Sequence, residues 1–304
     1  MYIVILKVSS FAFIILSGIA AGRSGKLGNR AGETISKLVF NFTLPAAIIN
    51  AFGSADFTPH MLLLIPIGFI CTFVPYAIAF IASRNASRED RILYLMNISG
   101  FNIGSFGLPF VQTFFPASAV VASCMFDAGN AFMSTGGTFA VTSTIVNDGS
   151  TPHPILSGLK RLFSSVPFDT YIVLVALAVS GMRIPEPLIT FMQPIANANA
   201  FLAMFMLGLM VGFTIDRDKL HKLINLLGGR IAMSTIMSAL AFNLLPFDYQ
   251  IRCIVLLLLW CPIGSTGPVF TLWAGGDHRL AGLTNTLSII LGIILITIII
   301  IITG

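Results

Sequence analysis

The stretch from Asn97 to Phe115, NISGFNIGSFGLPFVQTFF, lies where a membrane-spanning helix is due, and its own middle resists being one. Gly104-Ser105-Phe106-Gly107-Leu108-Pro109 joins glycines, which raise the entropy cost of a helix, to a proline that lacks an N–H donor. In lipid every free backbone group is costly, so a span interrupted here must be satisfied by protein or by a water-filled cavity. Interrupted helices at membrane depth are also where many transporters bind their substrates. A second stretch of the same kind, Gly264-Ser265-Thr266-Gly267-Pro268, follows in the other half of the chain and matches the first if the proline shifts by one residue.

The composition agrees with a membrane setting. Of 304 residues, 56% are hydrophobic and only 10% charged, with mean hydropathy +0.93, against roughly 25% charged in soluble domains. The apolar runs predict about ten spans of roughly 20 residues. They fall near 2–22, 35–52, 61–83, 97–115, 117–146, 168–182, 188–214, 228–246, 251–274 and 280–302. The net charge of +5 is scattered through short loops, so nucleic acid is not an expected partner. Cys71, Cys124, Cys253 and Cys261 all fall in apolar runs without metal-ligand spacing, so neither a disulfide frame nor a metal site is expected. His60, His153, His221 and His278 lie in or beside loops.

Basic residues set the orientation. With the N-terminus outside, the inner loops hold Arg23, Lys26, Arg30, Lys37, Arg84, Arg88, Arg91, Lys160, Arg161, Arg217, Lys219, Lys222, Arg230 and Arg279, and the outer ones only Lys7, Arg183 and Arg252. The first run has no basic segment before it and reads as a first span, not a cleavable signal. Both termini are thus expected on the non-cytoplasmic side. The polar segment Asn147 to Arg161 divides the chain into a first five-helix repeat at 1–146, a short cytoplasmic linker at 147–166 and a second repeat at 167–304. Five spans per half make the halves inverted, a transporter plan with its site at the repeat interface. The expected fold is all-α: ten transmembrane helices in two inverted five-helix repeats, with helices four and nine as broken crossover helices.

Asn102-Ile-Gly-Ser-Phe-Gly107-Leu-Pro109-Phe110 resembles the N-x-x-x-x-G-x-P-L signature of the auxin efflux carrier family, whose bacterial members include malate and malonate permeases. Trp260-Cys261-Pro262, Ala274-Gly275-Gly276-Asp277 and the Ser/Thr-containing last span resemble that family's C-terminal signature. The resemblance implies the ten-span inverted fold, a small organic acid as substrate, a homodimer and a multi-pass place in a bacterial inner membrane. Phe110 departs from the usual leucine, and the linker is far shorter than in plant members.

Asp127 is the one acidic residue deep in a span, and Ser123, Asp127, Asn130, Ser134 and Thr138 recur at helical spacing on one face. A carboxylate there is costly and reads either as a proton or cation coupling site or as structural support for the broken helix. Thr284, Asn285, Ser288 and Gly292 form a weaker counterpart on the last span, where Asn285 reads either as the same support or, in preference, as polar glue between helices. Asn41, Asn50, Asn197 and Asn199 add amides on spans two and seven. The helix ends at the breaks offer free N–H groups and a partial positive charge. Asn102, Gly107 and Pro109 are therefore the expected substrate-binding residues, faced by Ser265, Thr266 and Pro268. No Arg or Lys is expected at depth, so anion recognition would rest on dipoles and amides. No cofactor is expected beyond proton or sodium coupling. GxxxxGK[ST], HExxH and GxSxG are all missing, which argues against an ATPase or an intramembrane enzyme. The alternatives are a sodium-coupled anion symporter resembling the bile acid family, and a transporter-derived channel or sensor.

Overall fold

The computed structural model describes every residue except Met1, Asn29, Asp56, 147–152, 213–216 and Gly304, together with the side chain of Arg217. Among the described residues every secondary-structure element is a helix, and one isolated antiparallel bridge is the only strand-like pairing. In chain order the helices are α1 (Tyr2–Arg23), α2 (Ala31–Ser54), α3 (Pro59–Ala82), α4 (Arg88–Asn97), α5 (Leu108–Phe114), α6 (117–145), α7 (Pro154–Leu162), α8 (Val166–Val179), α9 (Glu186–Leu209), α10 (Leu220–Leu244), α11 (Tyr249–Leu259), α12 (Thr266–Trp273) and α13 (His278–Thr303). Six of these, α1, α2, α3, α9, α10 and α13, are long and apolar enough to cross a membrane. A seventh span arises if α7 and α8, bent by 64°, are taken together. The other expected spans are α6 and the two interrupted units, α4 with α5 and α11 with α12.

The boundaries of the first interrupted unit differ from the sequence reading. It begins at Arg88, where Ser87 Oγ accepts the Asp90 N–H and Glu89 and Asp90 lie at the positive helix end. Arg88 and Arg91 are therefore helical rather than loop residues. The break also lies earlier than expected, at residues 98–102, where Gly100 takes φ +81. Gly104 to Pro109 is helical: a π-turn over Ile103–Gly107 runs into α5. Pro109 is the second residue of α5, but the π-turn runs into α5 without interruption, so Pro109 lies inside the helical arm that starts at Ile103 and does not make the break. Pro268 lies in the first turn of α12, where a missing N–H costs nothing, and the second break is at 260–265.

The two breaks touch each other. Phe101 and Ile263 form the antiparallel bridge, and the Asn102 N–H donates to the Pro262 carbonyl at 2.9 Å. Around this point α4 packs on α12, and α11 packs on the π-turn before α5. Gly107 lets the first arm lie against the second: a Cβ there would stand 2.7 Å from Cys261 Sγ, and one at Gly267 would stand 2.7 Å from Asn97 Oδ1. Each arm's glycine thus meets the other arm.

Two tight helix pairs flank the crossover. α3 and α6 meet at Gly68 and Gly129, where added Cβ atoms would stand 2.1 Å from the Phe126 carbonyl and 1.9 Å from that of Ile65. α1 and the second half of α9 meet likewise at Gly18 and Gly208. Small residues at such contacts let backbones approach, which is how membrane helices pack without a hydrophobic drive. α2 packs on the first half of α9, and α8 bridges α2 and α6. Within the expected linker, the described residues 154–162 form a helix, α7, with Gly158 against the Gly136 backbone and Ile155, Leu156 and Leu159 exposed.

Candidate functional site

A cavity of about 80 Å³ opens beside the crossover. Its walls come from the two breaks and the helix starts that follow them (Phe101, Asn102, Gly104, Gly264, Ser265 and Thr266), from α6 (Asp127, Asn130, Ser134, Thr135), from α2 (Phe40, Leu44) and from the start of α8 with the residue before it (Ser165, Pro167, Phe168, Tyr171). All three π-turns among the described residues, Val39–Thr43, Ile103–Gly107 and Phe132–Gly137, contribute to this lining. A π-turn widens the helix by one residue and frees backbone groups, which is why such turns gather at sites.

Asn130 holds the first break in shape. Its Oδ1 accepts the Phe101 N–H at 3.0 Å, and its Nδ2 donates to the Phe101 carbonyl at 2.9 Å and to Asp127 Oδ1 at 2.7 Å. One buried amide therefore satisfies both main-chain groups of a residue that has left its helix, and orients the carboxylate too. The second oxygen of Asp127 accepts the Tyr171 hydroxyl at 2.6 Å, so α6 is tied to α8. No described cation pairs with Asp127.

At the second break the counterpart is Ser288, whose Oγ accepts the Ile263 N–H at 3.0 Å and donates to the Asn285 carbonyl at 2.7 Å. Asn285 is buried with its Oδ1 unpartnered. Asp127 precedes Asn130, and Asn285 precedes Ser288, by the same three residues. The expected counterpart face on the last span exists, but Ser288 rather than Asn285 reaches the break.

Asn102 lies at the cavity wall, 5% exposed. Its Oδ1 accepts the Ser105 hydroxyl at 2.5 Å, whereas its Nδ2 is buried without a partner. A buried amide donor left unmatched costs of order 1–3 kcal/mol, so it points to a missing acceptor. Thr266 donates to the Ser134 carbonyl at 2.8 Å and joins the second arm to α6. Of the six residues expected to bind substrate, Asn102, Ser265 and Thr266 line the cavity. Gly107, Pro109 and Pro268 do not: Gly107 is spent on the contact between arms, and the two prolines lie within the helical arms that follow the breaks. Asp127 and Asn130 are in the lining and Asn285 is outside it. Of the polar face on α6, Ser123 turns back to the Ala119 carbonyl. The amides on α2 and α9 join those helices through Thr43 to Asn199 and Asn50 to Gln193, and Gln193 donates within α9 to Asn197.

Arg230 overturns one sequence expectation. Assigned there to an inner loop, it lies on α10 with 7% exposure. Its Nη1 donates to the Ile98 carbonyl at 2.9 Å, and its Nη2 to those of Gly100 at 2.8 Å and Cys261 at 3.1 Å. Its guanidinium lies 4.9 Å from the Phe101 ring centre. A cation is thus present at depth after all. Read from the sequence, this span begins at 228 and leaves Arg230 at its edge, whereas the helix starts at Leu220 and carries Arg230 in its interior. Tyr171 was also missed, since a single tyrosine in an apolar run carries no pattern.

Larger spaces lie elsewhere. One of about 310 Å³ is bordered by Asn50, Gln112, Gln193 and Asn197 between α2, α9 and the α5–α6 turn. α2 borders both this space, through Ala47 to Ser54, and the crossover cavity, through Phe40 and Leu44. Among the described residues no cluster of His, Cys, Asp and Glu could hold a metal ion.

Residues 3–148 match the family model described as a membrane transport protein. No curated protein matches the chain.

Proposed function

Through its first half the chain belongs to the auxin efflux carrier family of membrane transport proteins, and from that premise we propose that it is a secondary transporter of small organic anions that binds them in the crossover cavity. The observation that carries the reading is the unpartnered Asn102 Nδ2, a buried donor on a residue that lines the cavity at the start of a helical arm. A carboxylate oxygen is its natural acceptor, and helix starts favour that charge. Ser265 and Thr266 contribute from the other arm. The cavity is small against the roughly 300–1,000 Å³ of drug-sized pockets, which favours acids of a few carbons, such as malate or malonate, over bulky ones.

The architecture in this reading is ten spans in two inverted repeats, 1–146 and 167–304, joined by the linker at 147–166. It is supported by the matched supports, Asn130 for Phe101 and Ser288 for Ile263, and by the reciprocal contacts of Gly107 and Gly267. Both termini lie outside; removing Arg230 from the inner set leaves the basic bias intact. The crossover then moves between faces, with the 310 Å³ space as the approach on one side. Asp127, held by Asn130 and Tyr171, is the proton-coupling group. The protein works as a homodimer in a bacterial inner membrane.

The test is a thermal shift of the purified protein against mono- and dicarboxylates, since a ligand stabilises the state that binds it. A shift with a small acid that Asn102→Ala weakens about tenfold, the worth of one charge-assisted hydrogen bond, is expected. Shifts only with cations or neutral solutes would refute the anion reading.

A further inference from the structure

Arg230 is buried, and no described carboxylate pairs with it. Its hydrogen bonds go to main-chain carbonyls: Ile98 and Gly100, just past the end of α4, and Cys261, just past the end of α11. These are the C-terminal, negative ends of two half-helices, each worth roughly half a unit of charge. They converge at the crossover, where an anion has to bind. Unwound carbonyls and half-helix C-terminal ends are also the groups with which membrane carriers hold a coupling cation. In this chain a tethered guanidinium already occupies that position.

We propose that Arg230 is a built-in cation, filling the carbonyl cage where an ion-coupled carrier of this geometry would bind sodium, so that the crossover is complete without any free metal ion. The guanidinium screens the two negative helix ends and leaves the helix starts as the charge an incoming anion meets. As a positioning residue, it joins both breaks from a third helix. The inference goes beyond the transport reading, and because its test reads stability and not uptake, its failure would leave the anion site standing.

The experiment compares thermal unfolding of purified wild type, Arg230→Lys and Arg230→Met in sodium chloride and in choline chloride at equal ionic strength, with and without low-millimolar guanidinium. The wild type should unfold at the same temperature in sodium and choline. Arg230→Lys, which keeps a charge and three donors, should stay near the wild type. Arg230→Met should lose several degrees, and guanidinium or sodium, but not choline, should restore part of the loss. A sodium-specific stabilisation of the wild type would overturn the proposal. So would a Lys variant that falls as far as the Met variant, or a Met variant indifferent to every cation. Should Arg230→Met yield no folded protein, the other two proteins decide: a folded Lys variant with a sodium-indifferent wild type supports the proposal, and loss of the Lys variant as well overturns it.

Discussion

Asn130→Ala should cost more stability than any single hydrogen bond explains. The side chain makes three: to the N–H and the carbonyl of Phe101 and to Asp127 Oδ1. Interhelical hydrogen bonds in membrane proteins average about 0.6 kcal/mol and reach about 1.7 kcal/mol. The two to Phe101 cross the fold, whereas the bond to Asp127 lies within α6; the first two together amount to about 1–3 kcal/mol, with the upper part reached if the freed Phe101 groups find no water. Ser288→Ala removes one such bond, to the Ile263 N–H, and should cost about 0.6–1.7 kcal/mol on the same scale. Ser123→Ala, whose hydroxyl only returns to its own helix, should lie near zero. Reversible unfolding in mixed micelles with increasing SDS measures all three against the wild type. A cost for Asn130→Ala no larger than that for Ser288→Ala would show that the amide does not hold the first break.

Asp127→Asn keeps an acceptor for Tyr171 but cannot release a proton; uptake into proteoliposomes should lose its dependence on a pH gradient, and full pH-driven uptake by the variant would remove Asp127 from coupling. Gly129→Ala would put a Cβ 1.9 Å from the Ile65 carbonyl and should cost about 1–3 kcal/mol by overpacking, read as a lower unfolding midpoint. At the helix ends outside the spans, Lys222 pairs with Asp90, and Lys219 with Asp277 at 2.5 Å. Partial burial works against both carboxylates, yet the lysines outweigh it and hold Asp90 and Asp277 below the usual range. Their stabilisation is complete above about pH 4 and fades as acid protonates them. Being part-exposed, each pair contributes under about 1 kcal/mol. Acid should therefore destabilise the wild type slightly more than an Asp90→Asn, Asp277→Asn double variant, a gap that high salt narrows.

The membrane class and the helical fold were legible because hydropathy accumulates over 20 residues and needs no partner. The two interruptions were legible for the same reason, as local faults in such runs. Their positions differ from the sequence reading because glycine and proline act differently: Gly100 makes the turn, whereas Pro109 and Pro268 lie within the helical arms that follow the breaks. The α6 face was readable from its spacing, and Asp127 and Asn130 do reach the cavity. What the sequence could not disclose is which partner a side chain meets across the fold. Tyr171 finds Asp127, and Arg230 finds carbonyls from both breaks, across separations that no periodicity records.

At the breaks themselves the two arms join through main-chain atoms, by the Phe101–Ile263 bridge and the Asn102 N–H on the Pro262 carbonyl. Substituting a side chain at these positions leaves those atoms in place. A mutational scan would therefore miss the join: losses at Phe101 and Ile263, both buried, would report the packing of their side chains, and dependence on the join itself would surface only where the N–H is removed. Sequence variability at Phe101 and Ile263 is for that reason a poor guide to their importance.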